Sequence, residues 1–394
     1  MSSARLPGTP RLLRALNDRA ALELLLSRGP LTRAQLGELT GLSKVTASQL
    51  VERLEERGLV ARVGEQAGGR GPNAQMYAVV PATAFVVGVD AGPQHVVAAA
   101  ADITGKIVGR TDVSIGEGDD PVKVVHAAVV EAAEAAHAPL DRIRRVVLGT
   151  PGLVDPKSGE ITFAWDLPRW HRGLLAALRA DLDRPVVFEN DVNLAAIAEA
   201  HSGAARGVDE FVLVWLDRGV GLAIVLGGRM HRGTVGAAGE IGYLPVPGAP
   251  VSRDASRRSK TGFRALADAA AVKSVAREHG FKTTSAADAV RAAIAAGTAG
   301  SPLLDELARR ISLGVAAVGV VLDPELVVLA GDVGKAGGAA LAQRVQHEVA
   351  AITVVSPRVV ATEVESEPVL HGALLTGLDA VREEVFGLEG RAPY

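Results

Sequence analysis

The sequence predicts a mixed α/β protein with a small helical head and a larger body of two related lobes around a cleft. Three observations carry this. The first 80 residues hold three short helical stretches followed by two strand-like runs around a Gly/Arg loop. The body opens twice with strand, glycine turn and return strand, at Phe85 and again at Phe211. At 394 residues the chain is too long for one ordinary domain, and 48% hydrophobic residues supply a large core.

The composition excludes several classes. With no cysteine there is no disulfide and no thiolate metal site. The most apolar stretch, Ile311 to Gly331, is interrupted by Asp323, Pro324 and Glu325, so no membrane span is expected. The first residues lack the apolar run of a signal peptide, which predicts a cytoplasmic protein. Residues 1–80 carry 11 Lys+Arg against 7 Asp+Glu, and the other 314 carry 31 against 38. A modestly basic head on an acidic body fits a nucleic-acid-binding head, although the asymmetry is small.

In the head, Leu16, Ala20, Leu24 and Leu25 recur at helical spacing, and Gly29-Pro30 ends that helix. Thr32 and Gln35 have capping-box spacing and open a second helix to about Leu39. After the turn Thr40-Gly41-Leu42, Ser43 caps a third helix to about Arg57. Ala47, Leu50 and Leu54 share its inner face, while Lys44, Val45, Ser48 and Gln49 fall elsewhere near its amino end. Two helices across a glycine turn, the second beginning in short polar side chains, form a helix-turn-helix pattern. Ser43, Lys44, Thr46, Ser48 and Gln49 are therefore the predicted contacts to double-stranded DNA. Residues 59–63 and 74–79 read as the strands of a wing. In its Gly/Arg loop, Arg70 suits a narrow minor groove, and an ordinary surface loop fits it equally. A plain helical hairpin with a solvated face is the bland alternative for the whole head; the order of elements favours DNA binding.

Pro81 to Ala84 reads as a short linker. Strands follow at 85–90, 96–102 and 107–113, then a helix at 122–136 and a strand at 145–149. The stretch Pro185-Val-Val-Phe-Glu-Asn-Asp-Val-Asn193 is a buried strand ending in four polar residues. That suits a ligand crevice at a strand's carboxyl end. It equally suits a helix start with Asp191 or Asn193 as N-cap. The second round begins with strands at 211–216 and 222–226.

Five motifs in order resemble the ROK family of repressors, open reading frames and sugar kinases: Gly88-Val-Asp-Ala-Gly92, Gly149-Thr-Pro-Gly-Leu-Val-Asp155, Glu189-Asn-Asp-Val-Asn193, Ala238-Gly-Glu-Ile-Gly242 and Leu322-Asp-Pro-Glu-Leu-Val-Val-Leu329. The loop Gly68-Gly-Arg-Gly-Pro72 also resembles the linker of the family's repressors. The resemblance implies an actin-like (ribonuclease H-like) fold, with a winged head over residues 1–80, one lobe over 85–205 and a second over 206–371. A final helix at 372–388 would return to the first lobe. It implies a sugar between the lobes, held by Asn190, Glu240 and the backbone near Gly152, with Asp191 as the kinases' general base. Trp165 and Asp166 would border it.

The chain also departs from the family pattern. The first phosphate loop reads Asp90-Ala-Gly-Pro-Gln-His95, and Pro93 removes a backbone donor. The second reads Asp217-Arg-Gly219, and the late glycine-rich segment Ala330-Gly-Asp332. The family's zinc-binding His position is Tyr243, and its cysteines are missing. Arg264 stands where a sugar-binding glutamate is expected, which suggests an anionic ligand, a modified sugar or no ligand; a surface arginine is the alternative. For Tyr243 the alternative is a core tyrosine. The nine histidines show no metal-ligand spacing, and Arg253 to Lys260 reads as a solvated loop. The expectation is a DNA-binding regulator, a homodimer or tetramer on operator DNA with a sugar or sugar derivative as effector. It would have no kinase activity, metal or cofactor. An active sugar kinase with an accessory DNA-binding domain is the alternative.

Overall fold

The computed structural model describes residues 10–67, 73–163, 173–251 and 261–387. Arg70 with its loop, Trp165, Asp166 and the 253–260 run lie outside them.

The head comprises α1 (Pro10–Arg28), β1 (Leu31–Thr32), α2 (Arg33–Thr40), α3 (Lys44–Glu56), β2 (Val60–Gln66) and β3 (Ala74–Val79), with β3 paired between β1 and β2. The capping box forms as its spacing predicts. Thr32 Oγ1 accepts from the Gln35 amide at 3.2 Å, and Gln35 Oε1 accepts from the Thr32 amide at 2.9 Å. Gly41 ends α2 at φ 70°, a left-handed turn that glycine adopts without strain. Ser43 caps α3 through the Thr46 amide. Leu22, Leu36, Leu50, Leu54 and Tyr77 fill the head's core.

A 3₁₀ turn, Pro81–Thr83, leads into β4 (Phe85–Ala91), β5 (His95–Asp102), β6 (Ile107–Ser114), α4 (Pro121–Ala135), β7 (Ile143–Thr150), the hairpin of β8 (Leu153–Val154) and β9 (Ile161–Phe163), α5 (Leu174–Leu182), β10 (Val186–Asn190) and α6 (Asp191–Ser202). The first sheet has the order β10-β7-β4-β5-β6. Its three leading strands form an antiparallel meander, and β4, β7 and β10 run parallel.

The chain then repeats this plan with β11 (Phe211–Leu216), β12 (Val220–Leu226), β13 (Arg229–Met230), α7 (Arg264–Ala267), α8 (Ala269–Glu278), α9 (Ala286–Ala295), α10 (Ser301–Leu322), β14 (Leu326–Ala330), α11 (Gly331–Ile352), β15 (Arg358–Ala361) and α12 (Pro368–Phe386). The second sheet reads β13-β12-β11-β14-β15, with β11, β14 and β15 parallel. The twofold repetition visible in the glycine turns is thus a repetition of whole sheets.

Helices α6 and α12 fill the space between the sheets. They cross so closely that a Cβ on Gly372 would lie 1.9 Å from the Leu194 carbonyl oxygen. Val192, Ala195 and Ala196 of α6 pack on Phe211, Leu213 and Ala223 of the second sheet. On the far side, Leu370, Leu374, Leu378 and Val381 of α12 join Val86 and Ala99 of the first sheet and the head's leucines in one continuous apolar cluster. The head is therefore packed on the body, and Arg57 Nη2 adds a hydrogen bond to the Val385 carbonyl at 3.2 Å.

Candidate functional site

Parallel pairing sets the site. Asp90 lies opposite Gly149, and Gly149 and Thr150 lie opposite Glu189 and Asn190. The carboxyl ends of three strands thus present one polar row, the usual place for a ligand in an α/β sheet. Facing it are the Asp217–Gly219 turn between β11 and β12 and the loop leading to the 3₁₀ turn Ile241–Tyr243. The cleft between them has a volume of about 550 Å³, within the range of small-molecule sites. Gly152, Asn190, Asp191, Glu240, Tyr243 and Arg264, predicted from separate parts of the chain, all line it.

Their local roles differ from one another. Asn190, rather than Asp191 or Asn193, is the N-cap of α6: its Oδ1 accepts from the Val192 and Asn193 amides at 3.0 and 3.2 Å. A residue still in extended conformation is needed at that position, and Asn190 has it, whereas Asp191 is already the first helical residue. Asn190 Nδ2 donates to the Gly152 carbonyl at 3.0 Å and so fixes the loop after β7. Glu189 is withdrawn from the cleft. It accepts from Asn193 Nδ2 at 2.9 Å and pairs with Arg232, Nε at 2.7 Å and Nη2 at 2.6 Å, across the lobes.

Asp191 accepts from the Val192 amide at 2.8 Å. Burial pushes its carboxyl up to about 6, against the pull of that amide and of Arg218. Asp90 is pushed up to about 7 by burial first, then by the charges of Asp191 and Glu367, with Arg218 opposing.

Tyr243 is 40% exposed and faces the cleft, which excludes the core-tyrosine alternative. Arg264 is not a surface residue. Its Nη2 donates to the Arg218 carbonyl at 3.3 Å and its Nε lies 3.5 Å from Asp268 Oδ2, so it braces the β11–β12 turn.

The backbone donors of the glycine loops are partly engaged within the protein. The Gly92 amide donates to the His95 carbonyl at 2.9 Å, and the Asp217 amide to the Gly219 carbonyl at 3.0 Å. Asp332 sits in the first turn of α11 and places a carboxylate at that helix N-terminus. The donor set does not fit the family's zinc. A phenol stands at Tyr243, the sequence has no cysteine, and no metal-binding group of three His, Asp or Glu occurs among the described residues.

The ROK family pattern matches residues 86–380, three quarters of the chain and every element of the cleft. The chain belongs to the ROK family. The MarR family pattern matches residues 16–71, which hold most of α1 and all of α2 and α3. Among ROK relatives, the chain is 27% identical to the DNA-binding transcriptional dual regulator NagC of Escherichia coli K12 over 61% of its own length and 59% of NagC. It is 26% identical to the xylose repressor of Bacillus subtilis over 59% of its length and 61% of that protein. The match thus spans about three fifths of these curated relatives. Among solved structures, a ROK family transcriptional regulator homologous to E. coli MLC superposes with a TM-score of 0.74, at 20% identity, over 95% of this chain and 98% of that one. The ROK hexokinase of Thermus thermophilus superposes at 0.63, with 27% identity, over 76% and 99%. The fold is a winged helix-turn-helix head on a ROK sugar-kinase-like, actin-like body.

Sequence reasoning missed Trp215 and Val369, which line the cleft, and Arg232, which holds Glu189. Trp215 lies just before the Asp217-Arg-Gly219 turn already assigned to a phosphate loop, a usable signal. Nothing in the sequence announces the pairing of Glu189 with Arg232. His95, noted only for lacking metal-ligand spacing, lines the cleft and bonds Asp112 at 2.9 Å.

Proposed function

We propose that the chain is a DNA-binding transcriptional regulator that acts as a homodimer or tetramer, with the cleft as the site of a neutral sugar effector. The carrying observation is a recognition helix with an exposed polar amino end, joined in one chain to a sugar-kinase-like cleft. The relatives named as repressors support the same reading. Four carboxyl residues and two arginines line the cleft, and Arg264 is braced by protein groups. That balance favours a polyhydroxyl ligand, whose hydroxyls donate to Asp191 and Glu240, over an anion.

Kinase activity is disfavoured by the same geometry. Phosphoryl transfer relies on N–H donors and cations around the phosphates. Pro93 has no N–H, two loop amides are bonded internally, and Asp217 and Asp332 add negative charge. Asp191 then serves as an acceptor for a hydroxyl. The competing reading, an active sugar kinase, is favoured by Asp191 at about 6, a suitable value for a general base near neutrality. A coupled assay across a sugar panel with ATP and magnesium separates the two. Background turnover is expected; turnover that disappears in Asp191→Asn establishes the kinase. Selection of duplexes from a randomised pool by the full chain tests the regulator, and failure to enrich any duplex refutes it.

A further inference from the structure

The exposed face of α3 identifies a base reader that short polar side chains alone do not reveal. Ala47, Leu50, Val51 and Leu54 are the buried residues of this helix. At about 100° per residue, the direction opposite that stripe passes within about 10° of Val45 and about 30° of Gln49. Val45 is 67% exposed, an unusual setting for a β-branched apolar side chain in the first turn of a helix. Thr46, in contrast, bonds its hydroxyl to the Ser43 hydroxyl at 2.9 Å while its amide is capped by the same Ser43 oxygen, and Ser48 is half-buried. Thr46 and Ser43 thus organise the helix start. Within the amino-terminal turns of α3, the residues most directly opposite the buried stripe are Val45 and, one turn on, Gln49.

Further along the same face stand Glu52 and Glu56. Carboxylates repel phosphates, so only the amino-terminal turns of α3 suit a deep position in the major groove, with the carboxyl end tilted away. Near Glu52 and Glu55, Arg33 lies at 3.9 and 3.6 Å, which draws those acids toward α2.

A branched apolar side chain has one preferred partner on the floor of the major groove, the thymine C5-methyl group. A glutamine amide matches adenine N6 and N7. We infer that Val45 reads a thymine methyl group and Gln49 an adenine within about one helical turn of it, so that the half-site is centred on A·T pairs. This rests on the DNA-binding reading of the head, and adds which bases are read and by what chemistry.

The test uses the full-length chain and a duplex selected from a randomised pool. Each thymine is replaced in turn by deoxyuridine, which deletes only the major-groove methyl. Affinity is measured by fluorescence anisotropy for the wild type and for Val45→Ala. Loss of one buried methyl contact is expected to weaken wild-type binding about fourfold at one thymine per half-site. Val45→Ala is expected to bind the thymine and deoxyuridine duplexes equally at that position. Gln49→Ala should lose about tenfold or more of its preference for adenine. Because the deoxyuridine series leaves the protein intact, it does not depend on a variant folding. Uniform tolerance of deoxyuridine in the wild type, or an undiminished methyl effect in Val45→Ala, overturns the assignment while leaving DNA binding in place. Failure to enrich any duplex removes the DNA-binding reading and this assignment with it.

Discussion

Asp90 and Asp191 share a buried cleft and carry carboxyls raised to about 7 and about 6. The folded chain therefore binds more protons than the unfolded chain between about pH 4 and pH 7, and its stability falls as pH rises through that window. Asp90→Asn removes the larger penalty. It is expected to raise the melting temperature by a few degrees at pH 8 and by less at pH 5, read by thermal unfolding at both values. An equal gain at both values would show that ionisation of Asp90 is not the cause. At this scale the sequence marks which residues meet: Gly152, Asn190, Asp191, Glu240, Tyr243 and Arg264 all reach one cleft. It does not mark what each does there. Whether Asn190 or Asp191 caps α6 turns on one residue's ψ, and the partner of Glu189 lies 43 residues away on the other lobe.

Among the elements, α12 runs from the cleft to the head, while α6 packs against it and anchors both crossings between the lobes. Glu199, fully buried, accepts from the Ala204 amide at 2.7 Å where the chain leaves the first lobe. It accepts from the Val364 amide at 3.2 Å and from the Thr362 hydroxyl where the chain returns. Glu199→Ala strands these donors in a dry site and should cost about 3–5 kcal/mol in denaturant unfolding; Glu199→Gln, whose NH2 would face a backbone N–H, should also be clearly destabilising. A loss below about 1 kcal/mol in Glu199→Ala would show that this carboxylate is not what ties the crossings. Arg232→Ala leaves Glu189 buried without its charge partner and loosens the contact between the lobes. A larger radius of gyration in small-angle scattering is expected, and an unchanged one would remove the latch role. The longer strands were legible because apolar runs and glycine turns bound them, whereas the short β1, β8, β9, β13 and β15 were not. The helix α11 was not: its 22 residues hold glycines at 334, 337 and 338, the last at φ 51°, and small residues carry little hydrophobic period.

On the scale of the whole molecule, the chain joins a winged head to two sheets of the same plan. The path from cleft to head is short. Asp191 opens α6 and Val369 opens α12 in the cleft, while the far end of α12 lies against the head through Val381, Phe386 and the Arg57 contact. No helix among the described residues is long and apolar enough to cross a membrane. A ligand in the cleft changes DNA affinity only if it favours one packing of these helices over another. Two related sheets were legible in the repeated glycine turns. The docking of the head on α12 was not, because leucines that face a neighbouring domain look like any other core leucines.

The most direct test is operator affinity, read by anisotropy on a selected duplex with and without each member of a panel of neutral sugars. The structure predicts that at least one sugar shifts affinity fivefold or more, and that Asp191→Ala abolishes the shift while leaving unliganded DNA binding intact. Sequence-specific binding that no sugar alters, or an undiminished shift in Asp191→Ala, would contradict a cleft that governs the head.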